Sequence, residues 1–180
     1  MGNKKLRIGM LVFLILVVIL AYATAIALYG RTVVTWWIPW AACGAMGLFS
    51  GLTMWRLWVP LTDEAGFWLN YLAHAVTATG IIACLFFGAN YAGADTDAIY
   101  EETVTVERKY REEHHRTQRV GRRHYRRVGS PWYDYHIDIR FSDGRTKSLT
   151  VPLKRYNRLR TGSDTTIRLA PGLFKIPVIR

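Results

Sequence analysis

The segment IGMLVFLILVVILAYATAIALY at residues 8–29 contains no charged side chain. An α-helix rises about 1.5 Å per residue, so roughly 20 apolar residues cross the ~30 Å hydrocarbon core of a bilayer. Two more apolar runs follow at residues 36–59 and 67–91. None of the three shows the polar stripe of a helix that packs on a water-soluble core. The sequence therefore predicts a membrane α-helical region of three transmembrane helices.

The first apolar run also has features of a cleavable signal peptide. Basic residues precede the apolar stretch, and the small residues of AYATA at 21–25 lie near its end. The stretch continues through Ile26 and Leu28, which makes it longer than the usual apolar core of a signal peptide. We therefore expect an uncleaved anchor. With either outcome, the C-terminal domain lies on the same side of the membrane.

The second half of the chain is chemically different from the first. All but five of the 24 Lys and Arg residues, and all but two of the 13 acidic residues, lie after residue 94. The formal net charge of the whole chain is +11. This shift in composition predicts a transmembrane region at residues 1–94, a linker at 95–100 and a basic soluble β-domain at 101–180.

The distribution of cations around the predicted spans indicates their orientation. Lys4, Lys5 and Arg7 precede the first span and Arg56 closes the second, whereas the loop between these spans contains only Arg31. Because cytoplasmic loops are enriched in Lys and Arg, the N-terminus is predicted to lie inside and the C-terminal domain outside. The basic charge of that domain favours the opposite orientation, but long domains cross membranes largely regardless of their charge.

Small residues in the second span predict close helix packing. GAMGLFSG at residues 44–51 contains Gly44, Gly47 and Gly51, and the last two have the GxxxG spacing that lets helix backbones approach each other. Two partners fit this spacing. One is a neighbouring helix of the same chain, and the other is the second span of another copy in a homo-oligomer.

One ionisable residue, His74, lies inside the third span, close in sequence to Asn70, Thr77 and Thr79. An ionisable group within a membrane often marks a functional site. No acidic residue occurs within any predicted span to complete a proton relay. The sequence therefore favours an interhelical hydrogen bond over a role in transport or metal binding.

Alternation of apolar and polar residues predicts β-strands after residue 100. It is clearest in YDYHIDIRF at 133–141, and the Asp143-Gly144 pair that follows is a strong signal for a tight hairpin. Pro152 begins a short helical segment, and DTTIRLA at 164–170 is a further strand. This order predicts a small all-β domain with an SH3-like or OB-like barrel, closed or nearly closed.

The most basic stretch is HHRTQRVGRRHYRRV at residues 114–128. A helix is disfavoured here, because the stretch has no apolar stripe and Gly121 interrupts it. A disordered arm and a strand are both compatible with it, and we expect a hairpin formed by residues around 101–112 and 117–128. The candidate anion-binding residues are Arg116, Arg119, Arg122, Arg123, Arg126 and Arg127.

Sequence signatures of catalysis are absent. The chain contains no G-x-S-x-G, H-E-x-x-H, C-x-x-C or G-x-x-x-x-G-K-[ST] motif, so we predict neither an enzyme nor a cofactor. Cys43 and Cys84 lie within predicted spans without metal-ligand spacing. Asp134, His136 and Asp138 alternate along one strand and could bind a divalent cation or act as general acid and base. Pairing with arginines on the neighbouring strand is favoured over both.

The plan of a few transmembrane helices followed by a small β-domain, with the C-terminal element TGSDTTIRLAPGLFKIPVI at 161–179, resembles small bacterial membrane proteins of unknown function. Among these are the DUF3592-like proteins and, more distantly, the membrane-anchored OB domains of NfeD-like proteins. The resemblance implies an envelope protein of the bacterial cytoplasmic (inner) membrane. It implies no catalytic residues.

These observations favour a multi-pass membrane protein whose basic extracytoplasmic β-domain is an interaction or assembly module. Its expected partners are anionic lipid headgroups or an acidic protein of the envelope, with a homo-oligomer formed through the second span as a further possibility. The alternative is a β-barrel that faces the cytoplasm and binds nucleic acid through its cations and aromatic side chains.

Overall fold

The computed structural model describes the backbone of residues 2–120 and 124–180, and the side chains outside residues 1–3 and 119–128. The chain forms two compact units. One unit comprises Met1–Tyr100 together with Leu169–Arg180, and the other comprises Glu101–Arg168. The C-terminal residues 169–180, which the sequence assigned to the β-domain, thus lie with the helices.

The first unit is built from α1 (Gly2–Gly30), α2 (Trp37–Met54), the short α3 (Val59–Thr62) and α4 (Phe67–Ala92). A 3-10 helix, Trp55–Trp58, joins α2 to α3. Proline at the start of α3 and a left-handed Asp63 at its end limit α3 to one turn.

Two helices of the described chain are long and apolar enough to cross a membrane, Lys4–Gly30 and Phe67–Ala92. The prediction of three such helices is therefore wrong. The predicted second span was expected to continue to residue 59, but α2 ends at Met54, where the chain tightens into the 3-10 helix. Within its 18 residues α2 also contains Pro39, three glycines, Ser50 and Thr53, which lower its mean hydropathy.

Contacts along the helices define their directions. Arg7 at the start of α1 forms an ion pair with Asp63, and the Tyr22 hydroxyl donates to the carbonyl of Val76 at 2.9 Å. Farther along, Arg31 donates to the Tyr91 hydroxyl at 2.9 Å. Residues of rising number in α1 thus meet residues of rising number in α4, so these two helices run in the same direction. The segment between α1 and α4, which includes α2, therefore brings the chain back to the end of the helical unit where α1 begins.

Two glycines bring α2 against α4. A Cβ on Gly47 would lie 2.4 Å from Thr79 Oγ1, and one on Gly51 would lie 3.0 Å from the Tyr71 ring. Gly44 has open space around it. Gly47 and Gly51 therefore pack within the chain, which is the first of the two arrangements that their spacing allows.

The helices expose apolar side chains and bury polar ones. Large exposed residues include Phe13 and Phe49, whereas Asn70, Asn90 and Thr32 are fully buried. Water-soluble monomers rarely expose such extended apolar surfaces. The distribution is the one expected for helices surrounded by lipid, where polar groups find partners inside the protein.

The strands form one five-stranded sheet in the order β3-β2-β1-β4-β5. Their bounds are β1 Tyr100–Val120, β2 His124–Arg140, β3 Thr146–Thr150, β4 Asp164–Pro171 and β5 Pro177–Ile179, and a short helix, α5 (Leu153–Arg158), precedes β4. The predicted alternation is confirmed, because Ile137, Ile139 and Phe141 are buried together with Val104 and Val106.

The sheet is open and curled, so the prediction of a closed or nearly closed SH3-like or OB-like barrel is wrong. A barrel would require its two edge strands, β3 and β5, to pair. Instead, β5 pairs with β4 on one side and its Val178 forms a bridge to Thr32 on the other. The predicted hairpin at Asp143-Gly144 is confirmed: Gly144 has a φ of +83° and the chain turns there from β2 into β3.

The C-terminal segment is attached to the helices by side-chain and backbone hydrogen bonds. The buried amide of Asn90 accepts from the backbone N–H of Phe174 at 3.1 Å and donates to the carbonyl of Ile176 at 3.2 Å. Backbone bonds of 2.8 Å join Val33 to Pro177 and Ile179 to Arg31. The end of the sequence therefore packs on the ends of α1 and α4.

Candidate functional site

The long hairpin of β1 and β2 contains the basic stretch. Its register runs from Thr105 opposite Arg140 to Val120 opposite His124. The expected pairing of residues 101–112 with 117–128 is therefore wrong. Instead, β1 runs from Tyr100 to Val120 and β2 from His124 to Arg140, so the basic stretch lies at the far ends of two long strands.

Most of this hairpin has no further strand beside it. β3 pairs with residues 136–140 of β2, and β4 begins at Asp164, whose side chain meets Thr105 near the start of β1. Within the described chain, residues 112–120 and 124–134 pair only with each other. We call this segment the hairpin arm. At about 3.3 Å per residue it extends ~30 Å.

A β-bulge divides the arm. The register passes from His114 opposite Trp132 to Arg116 opposite Val128, so three residues of β2 oppose one residue of β1. Gly129 has a φ of +83°, which favours glycine, and Pro131 lacks the N–H that a ladder position needs. The sequence GSP at 129–131 is thus a bulge signal that the alternation alone did not reveal.

The structure places four of the six candidate arginines in the outer part of the arm. Arg116 is exposed in β1. The backbones of Arg119, Arg126 and Arg127 lie in the paired strands, opposite Tyr125, Gln118 and Thr117, while their side chains lie outside the described atoms. Arg122 and Arg123 lie outside the described residues. The strand interpretation of this stretch is therefore confirmed for the backbone of 114–120 and 124–128.

Acidic partners are distributed unevenly along the sheet. Close to the base, Arg108 pairs with Asp138 at 3.1 Å, and Arg140 pairs with Glu107. From residue 114 to residue 133, the sequence contains six arginines and no Asp or Glu. The outer arm consequently has a high positive charge density without acids of its own.

Aromatic rings lie where the acidic part of the arm meets the basic part. Trp132 is 48% exposed and stacks on the His114 ring with centroids 5.4 Å apart. The Arg111 guanidinium lies 4.8 Å from the centre of the Tyr133 ring. Tryptophan is enriched in membrane proteins where side chains reach the headgroup region.

The alternating acidic face of β2 does not assemble a metal site. Asp138 pairs with Arg108, whereas Asp134 lies 3.1 Å from His114 Nε2. His136 stacks on the Tyr110 ring, and its Nδ1 lies 3.2 Å from the hydroxyl of Thr150. Among the residues that the structure describes, no three His, Cys, Asp or Glu side chains could hold a metal ion. The expected pairing with arginine is confirmed for Asp138 but not for Asp134, whose partner is a histidine.

His74 forms the predicted interhelical hydrogen bond. Its Nε2 lies 3.1 Å from the Ser50 hydroxyl of α2, and its Nδ1 accepts from the Trp58 indole N–H at 3.1 Å. Ser50 in turn donates to the carbonyl of Gly47. Both nitrogens of this half-buried ring therefore have partners within the helical unit.

Lys147 of β3 is a buried cation that the sequence analysis missed. It is 7% exposed, and burial lowers its pKa to about 8. Thr146 and Ser148 are exposed on either side of it, and its register partner is the buried Ile139. The alternation of TKSLT could have placed Lys147 and Leu149 on the inner face, because successive strand residues face opposite sides.

Comparison with known proteins yields no relative. No protein-family model, no curated protein and no solved structure matches the chain. The resemblance to small bacterial membrane proteins of the DUF3592-like and NfeD-like kinds therefore remains a prediction from the sequence.

Proposed function

We propose that this chain is a membrane-anchored protein whose hairpin arm binds anionic lipid headgroups. The observation that supports this most directly is the separation of charge along the β1–β2 hairpin. Ion pairs occupy its base, while the outer part contains six arginines and no acid. Each cation near an anionic membrane surface contributes ~1 kcal/mol, so several together give useful affinity.

The anchor in this proposal is the helical unit. α1 and α4 cross the bilayer in the same direction, so the chain between them, which includes α2 and the 3-10 helix, must pass back through it although α2 is shorter than either span. The end with Arg7 and Asp63 then lies on one side and the end with Arg31 and Tyr91 on the other. The cations that precede α1 favour the cytoplasm for the first end, which directs the arm to the outer side of an inner membrane.

Two features favour lipid as the anion. The anchor holds the arm at a membrane, and tethering raises the effective concentration of a nearby surface to the millimolar range. Trp132 is exposed next to the basic segment, and its indole suits the headgroup region of a bilayer. An acidic envelope protein or a nucleic acid would meet the same arginines, and both are outcomes of the tests below.

A vesicle-bridging experiment on the full chain tests the proposal. The protein is placed in nanodiscs of phosphatidylcholine and mixed with vesicles of phosphatidylcholine alone or with added phosphatidylglycerol. We expect the nanodiscs to float with the anionic vesicles only, and less so as salt rises, because screening weakens exposed charges. Flotation with both kinds of vesicle, or with neither, would overturn the lipid proposal.

Two variants of equal charge localise the effect. In one, Arg116, Arg119, Arg126 and Arg127 are replaced by Gln. In the matched control, the same replacement is made at four exposed cations around α5, namely Lys154, Arg155, Arg158 and Arg160. The arm variant should lose flotation and the control should keep it. Equal losses would show that net charge, rather than the arm, governs binding.

The competing nucleic-acid function requires the arm to face the cytoplasm. A reporter fused to the C-terminus, active only outside or only inside the cell, decides this. Outside activity is expected. Inside activity, together with salt-sensitive retention of single-stranded oligonucleotides by the full chain, would replace the lipid proposal.

A further inference from the structure

An apolar groove lies between α1 and α4, close to the 3-10 helix. Its volume is about 430 Å³. The lining includes Leu11, Leu14 and Val18 of α1 and Leu72, Ala73 and Val76 of α4. The groove therefore offers space for an apolar ligand. All of its lining residues belong to the helical unit, and none belongs to the hairpin arm.

Polar contacts of α1 flank this groove in the sequence. At one end Arg7 and Asp63 form an ion pair with a 2.7 Å separation. At the other, Tyr22 donates to the Val76 carbonyl, and a Cβ on Gly80 would lie 2.5 Å from the Tyr22 ring. The residues of α1 that line the groove, Leu11 to Ile19, lie between these two contacts. From Arg7 to Tyr22 the helix rises ~22 Å.

Two of the three polar side chains in the wall, those of Trp58 and Thr62, already have hydrogen-bond partners. The Trp58 indole N–H donates to His74, and the Thr62 hydroxyl donates to Asn70 at 2.7 Å. A polar ligand would find these groups engaged. A narrow hydrocarbon chain fits the lining better, because burying apolar surface needs no directional partner.

The positive charge near the Arg7 end of the groove favours lipids with an anionic headgroup. Lys4 precedes Arg7 by three residues and Leu11 follows it by four, so all three share one face of α1. Of the nearby acids, Asp63 is paired with Arg7, and the Glu64 carboxylate accepts the amide N–H of Gly66 at 3.0 Å. Lys4 is exposed above the groove, on the same helix face as its lining.

We infer that the groove binds one acyl chain of an anionic glycerophospholipid from the surrounding bilayer, with the lipid phosphate at Lys4. This inference rests on insertion of α1 and α4 into a membrane, as proposed above, but not on the arm. Basic sites between membrane helices commonly select anionic headgroups in this way.

Native mass spectrometry of the full chain, extracted from membranes in mild detergent, tests the site. We expect a one-to-one adduct with an anionic phospholipid. Ala73→Phe places a ring in the groove and should reduce the adduct about tenfold. Ala45→Phe adds the same ring at an exposed position of α2 outside the lining and should leave the adduct unchanged. Absence of an adduct, or equal loss in both variants, would overturn the site.

A second pair of variants tests the headgroup without altering the groove. Lys4→Gln should remove the preference for anionic over zwitterionic lipid, whereas Lys5→Gln should keep it, because residue 5 lies on another face of α1. The same preference in both variants contradicts the assignment to Lys4. A lipid-free dimer would instead assign the groove to a helix of a second copy.

The two proposals fail separately. The four Arg→Gln replacements in the arm should abolish vesicle bridging and leave the lipid adduct intact. Ala73→Phe should do the reverse. If one variant loses both vesicle bridging and the lipid adduct, that variant has a folding defect. Lys4→Gln changes an exposed side chain and avoids this problem.

Discussion

The indole N–H of Trp58 donates to Nδ1 of His74 over 3.1 Å, and this contact fixes the state of the imidazole. A nitrogen that accepts cannot also hold a proton, so the proton of the neutral ring lies on Nε2, facing the Ser50 hydroxyl. Trp58 lies in the 3-10 helix and His74 in α4. The bond therefore connects the 3-10 helix that follows α2 to α4. His74 is therefore a structural group in the helical unit.

Replacing Trp58 by Phe should weaken the helical unit by ~0.5–1.5 kcal/mol. A smaller aromatic ring remains, but Nδ1 of His74 loses its donor, and hydrogen bonds between membrane helices are of about this strength. Denaturant titration of the full chain in micelles measures the change, and ring nitrogen shifts of His74 report its tautomer. Trp36→Phe, at an exposed ring, is the control. Equal effects of the two variants would contradict a specific bond.

Gly47→Ala should destabilise the packing of α2 on α4 by ~1–3 kcal/mol. The new methyl group would lie 2.4 Å from Thr79 Oγ1 and 2.7 Å from the Ala75 carbonyl, and the backbone atom cannot move without displacing the helix. Gly44→Ala, with open space around it, should be neutral or stabilising by up to ~1 kcal/mol. If Gly47→Ala instead changes only the oligomeric state, the glycine pair serves an interface between copies.

The parts of the fold that depend on local pattern could be predicted from the sequence, and those that depend on distant pairing could not. Uninterrupted apolar runs indicated α1 and α4, and alternation indicated β2. The early end of α2 and the bridge between Thr32 and Val178 had no local signal. That bridge links residues 146 positions apart, and it leaves the sheet open where a closed barrel was expected.

The candidate site shows the same division. The arginines and their strand character are visible in the sequence, because charge and alternation are local. The register of the hairpin is not, since a shift along the strand preserves most of the alternation. The register determines which residues face each other. It places Arg108 opposite Asp138 at the base of the hairpin, and it pairs the two stretches beyond residue 114, which contain no acid, with each other.

Lys147 should make the stability of the sheet depend on pH above neutrality. Burial lowers its pKa to about 8 in the folded chain, below the 10.5 of an exposed lysine. Between these values the unfolded chain binds more protons, so the free energy of unfolding should rise with pH, by at most ~1.4 kcal/mol per unit. Denaturant titrations from pH 7 to 10 measure the slope. Lys147→Met should remove this pH dependence. Lys154→Met, at an exposed site of α5, should keep it. If the slope persists in Lys147→Met, other groups cause it.

Asn90→Leu should release the C-terminal segment from the helices. Leucine leaves the Phe174 N–H without its side-chain acceptor, which costs ~1–3 kcal/mol for a buried group. It also removes one of the two donors to the Ile176 carbonyl, which keeps the Gly172 N–H. Gly172→Ala should act in the same way, because its Cβ would lie 2.4 Å from Asn90 Oδ1. Hydrogen exchange at the Ile179 amide, which bonds to the Arg31 carbonyl, reports the release. Asn157→Leu on the exposed surface of α5 is the control, and unchanged protection of Ile179 in Asn90→Leu would show that β5 is held by its backbone pairing alone.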